Sequence, residues 1–146
     1  MPRIRWTLAL LITAFGCRAA RPAEGPVVNE ATPPSAERRD AWHEAGERGI
    51  DFRAIGQEPG WYLEIDDGRS MRLVYDYGER TVVTPAPLAT TAKERTTYTG
   101  TTGTQVVTAF VEDRPCEDVM SGEPSPKTVI VTIGGRELRG CGRLLR

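Results

Sequence analysis

A chain of 146 residues with 39% hydrophobic side chains is long enough for one modest core, and a net charge of −1 excludes the basic surplus that a phosphate-backbone binder needs. Three cysteines and a single histidine supply no ligand cluster of zinc spacing, so neither a metal nor a cofactor is expected, and no nucleic-acid partner.

Arg3 and Arg5 form a short positive region, residues 6–15 form an apolar core, and the small Gly16 precedes Cys17. This is the architecture of an export signal over residues 1–16, too short for a membrane span of about 20 apolar residues. Thr13-Ala14-Phe15-Gly16-Cys17 resembles a bacterial lipobox, in which the cysteine is acylated and becomes the first mature residue. That resemblance implies lipidation at Cys17 and a membrane anchor through the N-terminal lipid. In lipoproteins of that kind an Asp after the cysteine marks inner-membrane retention, and Arg18 stands there instead, so the resemblance implies the outer membrane as the favoured address. Ala19, Ala20 and Ala23 offer a second reading, an ordinary cleavage site that discards Cys17 and releases a soluble secreted or periplasmic protein.

Residues 17–49 are rich in Pro, Ala, Glu and Arg and poor in aliphatic side chains, the composition of a flexible tether. Its random-coil reach is roughly 30 Å. A short capped helix is expected to begin at Ser35 and to end at Gly46 or Gly49, and the lone histidine, His43, lies within it.

From residue 50 to 146 the pattern is β. Trp61, Leu63 and Ile65 alternate, and after Asp66-Asp67-Gly68 so do Met71, Leu73, Tyr75 and Tyr77. A three-residue loop, Asp66 to Gly68 with Gly68 left-handed, is expected to set Leu63 opposite Met71 and Trp61 opposite Leu73. Residues 81–84, 96–102 and 106–111 read as further strands, and residues 85–94, with Pro85 and Pro87, as a loop. Gly134-Gly135 is a two-residue hairpin signal placing Val131 opposite Leu138. Cys141 then points away from the Val131 face unless a bulge at Gly140 turns it back, and the bulge is the preferred expectation. The fold class is all-β, a small antiparallel barrel or closed sandwich of about seven or eight strands.

With Cys17 taken by lipid, Cys116 and Cys141 remain as a pair. In an oxidising compartment they are expected to form a disulfide, stabilising by about 3 to 4 kcal/mol in the loop-entropy model. The basic C-terminus, with Arg136, Arg139, Arg143 and Arg146, reads as a solvated strand edge, or as a contact to anionic lipid or an acidic partner.

Phe52-Arg-Ala-Ile-Gly-Gln-Glu-Pro-Gly-Trp61, then Cys116-Glu-Asp-Val-Met-Ser-Gly122, Pro126 and Gly140-Cys-Gly resemble the opening and closing motifs of a family of uncharacterised bacterial envelope proteins, many of them lipoproteins. In setting that family is similar to the membrane-bound β-barrel inhibitors of C-type lysozyme and to META-domain proteins. The resemblance brings no established activity.

Catalysis is not expected. A nucleophile at Ser121 or Cys116 needs a base within hydrogen-bond reach, and the only histidine sits in the tether. Glu58, Asp66, Asp67 and Asp118 show no paired spacing, and Gly100-Thr-Thr-Gly103 lacks the Lys-Ser/Thr of a phosphate loop. The candidate binding residues are Glu58 and Trp61 at one motif and Asp118, Met120 and Ser121 at the other. Each also has a structural reading: Pro59 and Gly60 shaping a corner that Trp61 fills, and Asp118 and Ser121 bonding the amides of their own loop. The leading expectation is a non-catalytic envelope binding module with a protein or envelope component as partner; the alternative is an inhibitor of C-type lysozyme.

Overall fold

The computed structural model describes residues 34–146. The expected signal peptide, Cys17 with its expected lipid, and the first part of the expected tether lie outside the described residues. The described residues open with a helix, α1 (Pro34–Glu47), within the segment expected to be a tether. It closes with Gly49 at a φ of 86°, the Gly49 amide on the Gly46 carbonyl and the Ile50 amide on the Ala45 carbonyl. Those two bonds satisfy carbonyls that a helix end leaves open, and glycine takes the left-handed position without steric cost.

Eleven strands follow. In chain order they are β1 (Phe52–Gln57), β2 (Gly60–Asp66), β3 (Ser70–Tyr75), β4 (Arg80–Pro85), β5 (Leu88–Ala92), β6 (Arg95–Thr102), β7 (Gln105–Glu112), β8 (Cys116–Glu117), β9 (Pro124–Ser125), β10 (Lys127–Ile133) and β11 (Arg136–Leu144). Nine make one antiparallel sheet in the order β4-β3-β2-β1-β11-β10-β7-β6-β5, and β8 pairs with β9 apart from it. The sheet curls into a half-barrel. Its concave face holds Phe52, Trp61, Leu63, Ile65, Met71, Leu73, Val107, Val129, Val131 and Leu138, all buried. The period-2 alternation of strand side chains places these residues on that face.

Three inward-facing positions are glycine because an aromatic ring occupies the space of their side chains. A methyl at Gly56 or Gly140 would overlap the Trp61 indole, and one at Gly142 would meet the Phe52 ring. Across the curl, Thr84 of β4 packs on Gly100 of β6, where any Cβ would collide with it.

The Gly134-Gly135 hairpin is as expected, with Val131 opposite Leu138 and both glycines at positive φ. The β2–β3 hairpin keeps the expected faces, and Gly68 is left-handed, but the register differs by two residues. Leu63 lies opposite Leu73 and Ile65 opposite Met71. The Arg69 amide bonds the Asp66 carbonyl, and the Asp67 amide bonds the Asp51 carboxylate, which keeps Asp66 in the strand and moves the turn to 67–69. The expected loop at 85–94 contains β5. Its five residues are all exposed, so it has no apolar signature and rests on its ladder with β6. The expected bulge at Gly140 is absent: β11 pairs without interruption with β10 and with β1. Cys141 therefore lies on the convex face, where the segment between β7 and β10 covers it to 4% exposure.

Helix α1 covers part of the same convex face. Trp42 and Ala45 are buried, and the guanidinium of Arg143 stacks 4.3 Å from the Trp42 ring centroid. Arg53 lies 4.6 Å from the Tyr62 ring and 5.7 Å from Trp42. Glu64, 4% exposed, is ion-paired to Arg53 and to Arg48. Burial pulls the Arg53 pKa below its ordinary value, and Glu64 opposes that pull.

Candidate functional site

Cys116 and Cys141 form a disulfide, with their Cα atoms 5.5 Å apart. It pins the base of the loop that joins β8 to β9, the short pair apart from the main sheet. Within the loop the Asp118 carboxylate organises the backbone: Oδ1 accepts from the Met120 amide (3.1 Å), the Ser121 amide (2.8 Å) and the Ser121 hydroxyl (2.8 Å). The Gly122 amide, at a φ of 67°, closes the turn on the Asp118 carbonyl at 2.7 Å. An Asp bonding amides two and three residues on is the local geometry this side chain favours.

The other oxygen reaches across the molecule. Gln57 Nε2 donates to Asp118 Oδ2 at 2.9 Å, so the two motifs singled out in the sequence meet. Burial pushes the Asp118 carboxyl upward, the largest single influence, but the bonds from Gln57, Ser121 and Met120 together bring it down to about 2. Such a carboxylate is ionised at neutral pH and is a weak proton acceptor.

At the first motif the Glu58–Pro59 bond is cis. Trp61 is 4% exposed in the core, and its indole N–H donates to the Arg139 carbonyl at 3.2 Å; its role is packing. Glu58 is exposed on the β1–β2 turn. Gly60 has no positive φ. It is small because the Tyr77 ring lies over it, 2.8 Å from where a Cβ would sit, and the Tyr77 amide donates to the Gly60 carbonyl at 2.9 Å.

Between these elements lies a cleft of about 460 Å³ on the convex face, walled by Ile55, Tyr62, Val74, Tyr77 and Met120 and edged by Arg53 and Gln57. Tyr77 is 72% exposed and Met120 70%, and neighbouring Val119 is 84% exposed. A smaller cavity of about 170 Å³ lies behind the disulfide, between Ile55, Gln57, Val119 and Arg139. Of the candidate binding residues, Met120 lines the cleft, Asp118 and Ser121 hold Met120 in place, Trp61 contributes an edge from the core, and Glu58 stands beside the cleft on its turn. The alternation through Met71, Leu73 and Tyr75 predicts Tyr77 as a continuation of β3. It lies instead in the β3–β4 turn at a φ of 55°, and nothing in its sequence neighbourhood distinguishes it from another strand tyrosine.

The C-terminal arginines are engaged within the chain: Arg136 with Asp76 at 2.8 Å, Arg139 with Glu137, Arg143 with Glu123 at 2.9 Å and Arg146 with Asp51 at 2.8 Å. His43 faces solvent on α1, 3.4 Å from Glu47. Among the described residues no group of His, Cys, Asp and Glu side chains is placed to hold a metal ion, and no helix is long and apolar enough to cross a membrane. No family model, no curated protein and no solved structure matches the chain.

Proposed function

We propose that this chain is a bacterial envelope lipoprotein, anchored through Cys17 with the outer membrane as its favoured address, whose β domain is a non-catalytic binding module. The observation that carries the binding role is the convex-face cleft, where exposed Tyr77 and Met120 are presented by backbone that is itself tied down. Large apolar side chains left exposed together on a fixed frame are what an interface core needs, because little ordering entropy remains to be lost on association. The low basicity of Asp118 and the solvent-facing position of His43 support the non-catalytic part.

The test is photo-crosslinking in intact cells from a benzophenone side chain at Tyr77 or Met120, with Thr104 on the β6–β7 turn as control. One envelope component captured from both cleft positions and not from Thr104 is the expected result. No adduct, or the same adduct from all three sites, would remove the proposal. Intact-mass measurement of membrane-extracted protein tests the anchor: wild type should carry added lipid mass, and Cys17→Ala should lose it and leave the membrane fraction.

A second reading, inhibition of C-type lysozyme, is favoured by the exposure of Val119 and Met120 on a disulfide-pinned loop between strands. Cell-wall lysis by such a lysozyme at an unchanged rate, with the purified protein in molar excess, would exclude it.

A further inference from the structure

We infer that the partner of the convex-face cleft is a protein segment carrying an aspartate or glutamate beside its apolar anchor, with the anchor seated against Tyr77 and Met120 and the carboxylate received by Arg72 and Arg48. This rests on the cleft being the binding site and adds the chemistry of the occupant. Two cross-strand rows lie side by side on the convex face of β1, β2 and β3. Ile55, Tyr62 and Val74 stand opposite one another in the ladder, and so do Arg53, Glu64 and Arg72. Residues directly opposite in an antiparallel ladder share a face, and positions two residues along a strand are about 7 Å apart. The apolar row walls the cleft. The charged row, with Glu44 of α1 and Arg48 just beyond that helix, walls a second cavity of about 410 Å³, and Arg53 and Tyr62 border both.

The second cavity has a surplus of one positive charge, since Arg48, Arg53 and Arg72 line it against Glu44 and Glu64. One oxygen of Glu64 accepts from both Arg48, at 2.6 Å, and Arg53, so a single carboxylate serves two guanidinium groups. Arg53 Nε is buried without a hydrogen-bond partner. Arg72 is exposed and, among the described residues, has no ion pair. Farther along the row, Arg143 lies opposite Arg53 and is balanced by Glu123 at 2.9 Å. Guanidinium groups take oxyanions in forked hydrogen bonds; one carboxylate cancels the surplus, whereas a phosphate dianion leaves the cavity negative. Burial of the anchor supplies affinity, and the charge beside it fixes orientation and disfavours a basic segment. An extended segment repeats side chains on one face at the spacing of the two rows, so anchor and carboxylate fit positions separated by one residue.

The experiment pans a random peptide library displayed on phage against the purified protein and measures the selected peptides by fluorescence anisotropy. Peptides that join an aromatic or aliphatic residue to a nearby Asp or Glu are expected, and Tyr77→Ala should abolish their binding. Their Kd should weaken about tenfold in the Arg48→Gln, Arg72→Gln double variant, and by a similar factor when the acidic residue of the peptide is replaced by its amide. The two changes together should weaken binding little more than either alone, as for groups in direct contact. Near-ultraviolet circular dichroism reports that each variant keeps its fold. Selection of neutral or basic sequences, recovery of no peptide sensitive to Tyr77→Ala, or effects of the two changes that simply add would each overturn the inference. So would cosedimentation with phosphatidylglycerol vesicles that the double variant loses, because the arginines would then serve a lipid surface. If the in-cell crosslinks from Tyr77 and Met120 stand while the captured segment lacks an acidic residue, the binding module survives and the acidic partner falls.

Discussion

Gln57 Nε2 donates to Asp118 Oδ2 at 2.9 Å, across 61 positions of sequence, and through this bond the inner sheet strand β1 holds the loop that walls the cleft. The loop's shape therefore depends on the barrel as well as on the disulfide.

Asp118 should make stability acid-sensitive. Its folded pKa of about 2 lies below the ordinary 3.8, so the unfolded chain takes up the proton first as pH falls. The stabilisation is complete above about pH 4 and is lost between about pH 4 and 2, amounting to about 1–2 kcal/mol after allowance for solvent screening. Asp118→Asn replaces an acceptor of amide protons with a group half donor, and should cost about 2 kcal/mol at pH 7 while flattening the acid limb. Urea midpoints measured from pH 7 to 2 on both proteins check this; parallel limbs would contradict it.

Glu64 and Arg48 should separate sharply in cost although they pair with each other. Glu64→Gln leaves the largely buried Arg53 without its countercharge and should destabilise by about 3 kcal/mol. Arg48, half exposed at 52%, should cost under about 1 kcal/mol when replaced by Ala. Equal losses in denaturant melts would mean that α1 is held chiefly by the exposed pair.

Two glycine-to-alanine changes should have opposite signs. At Gly140 the new methyl collides with the Ile55 carbonyl and the Trp61 ring, so about 3 kcal/mol or more should be lost. At Gly46 it meets only Leu145 Cβ at an ordinary 3.9 Å, and the helix should gain about 0.5–1 kcal/mol. Thermal melts should place the two variants on opposite sides of wild type.

Cys116→Ser with Cys141→Ser should destabilise by about 3 kcal/mol for a closed loop of this length. It should also loosen the 118–122 turn, so the Asp118 carboxyl should titrate nearer its ordinary value in an NMR pH series. A titration as low as in the oxidised protein would show that the hydrogen bonds around Asp118 hold the turn without the disulfide.

The sequence by itself determined the inward faces of β2, β3 and the β10–β11 pair and the Gly134-Gly135 hairpin, because side-chain alternation and left-handed turn residues are local signals. It also made a Cys116–Cys141 pair the simplest use of two thiols outside the cytoplasm. It did not decide the β2–β3 register, since a period of two is blind to a slip of two. It did not reveal β5, whose side chains are all exposed and carry no apolar alternation, or the covering role of α1, whose Trp42 is buried by arginines from distant strands. Only the tertiary structure could bring Tyr77, Met120 and Gln57 to one cleft, because their meeting depends on how the sheet curls and on a hydrogen bond between residues far apart in the chain.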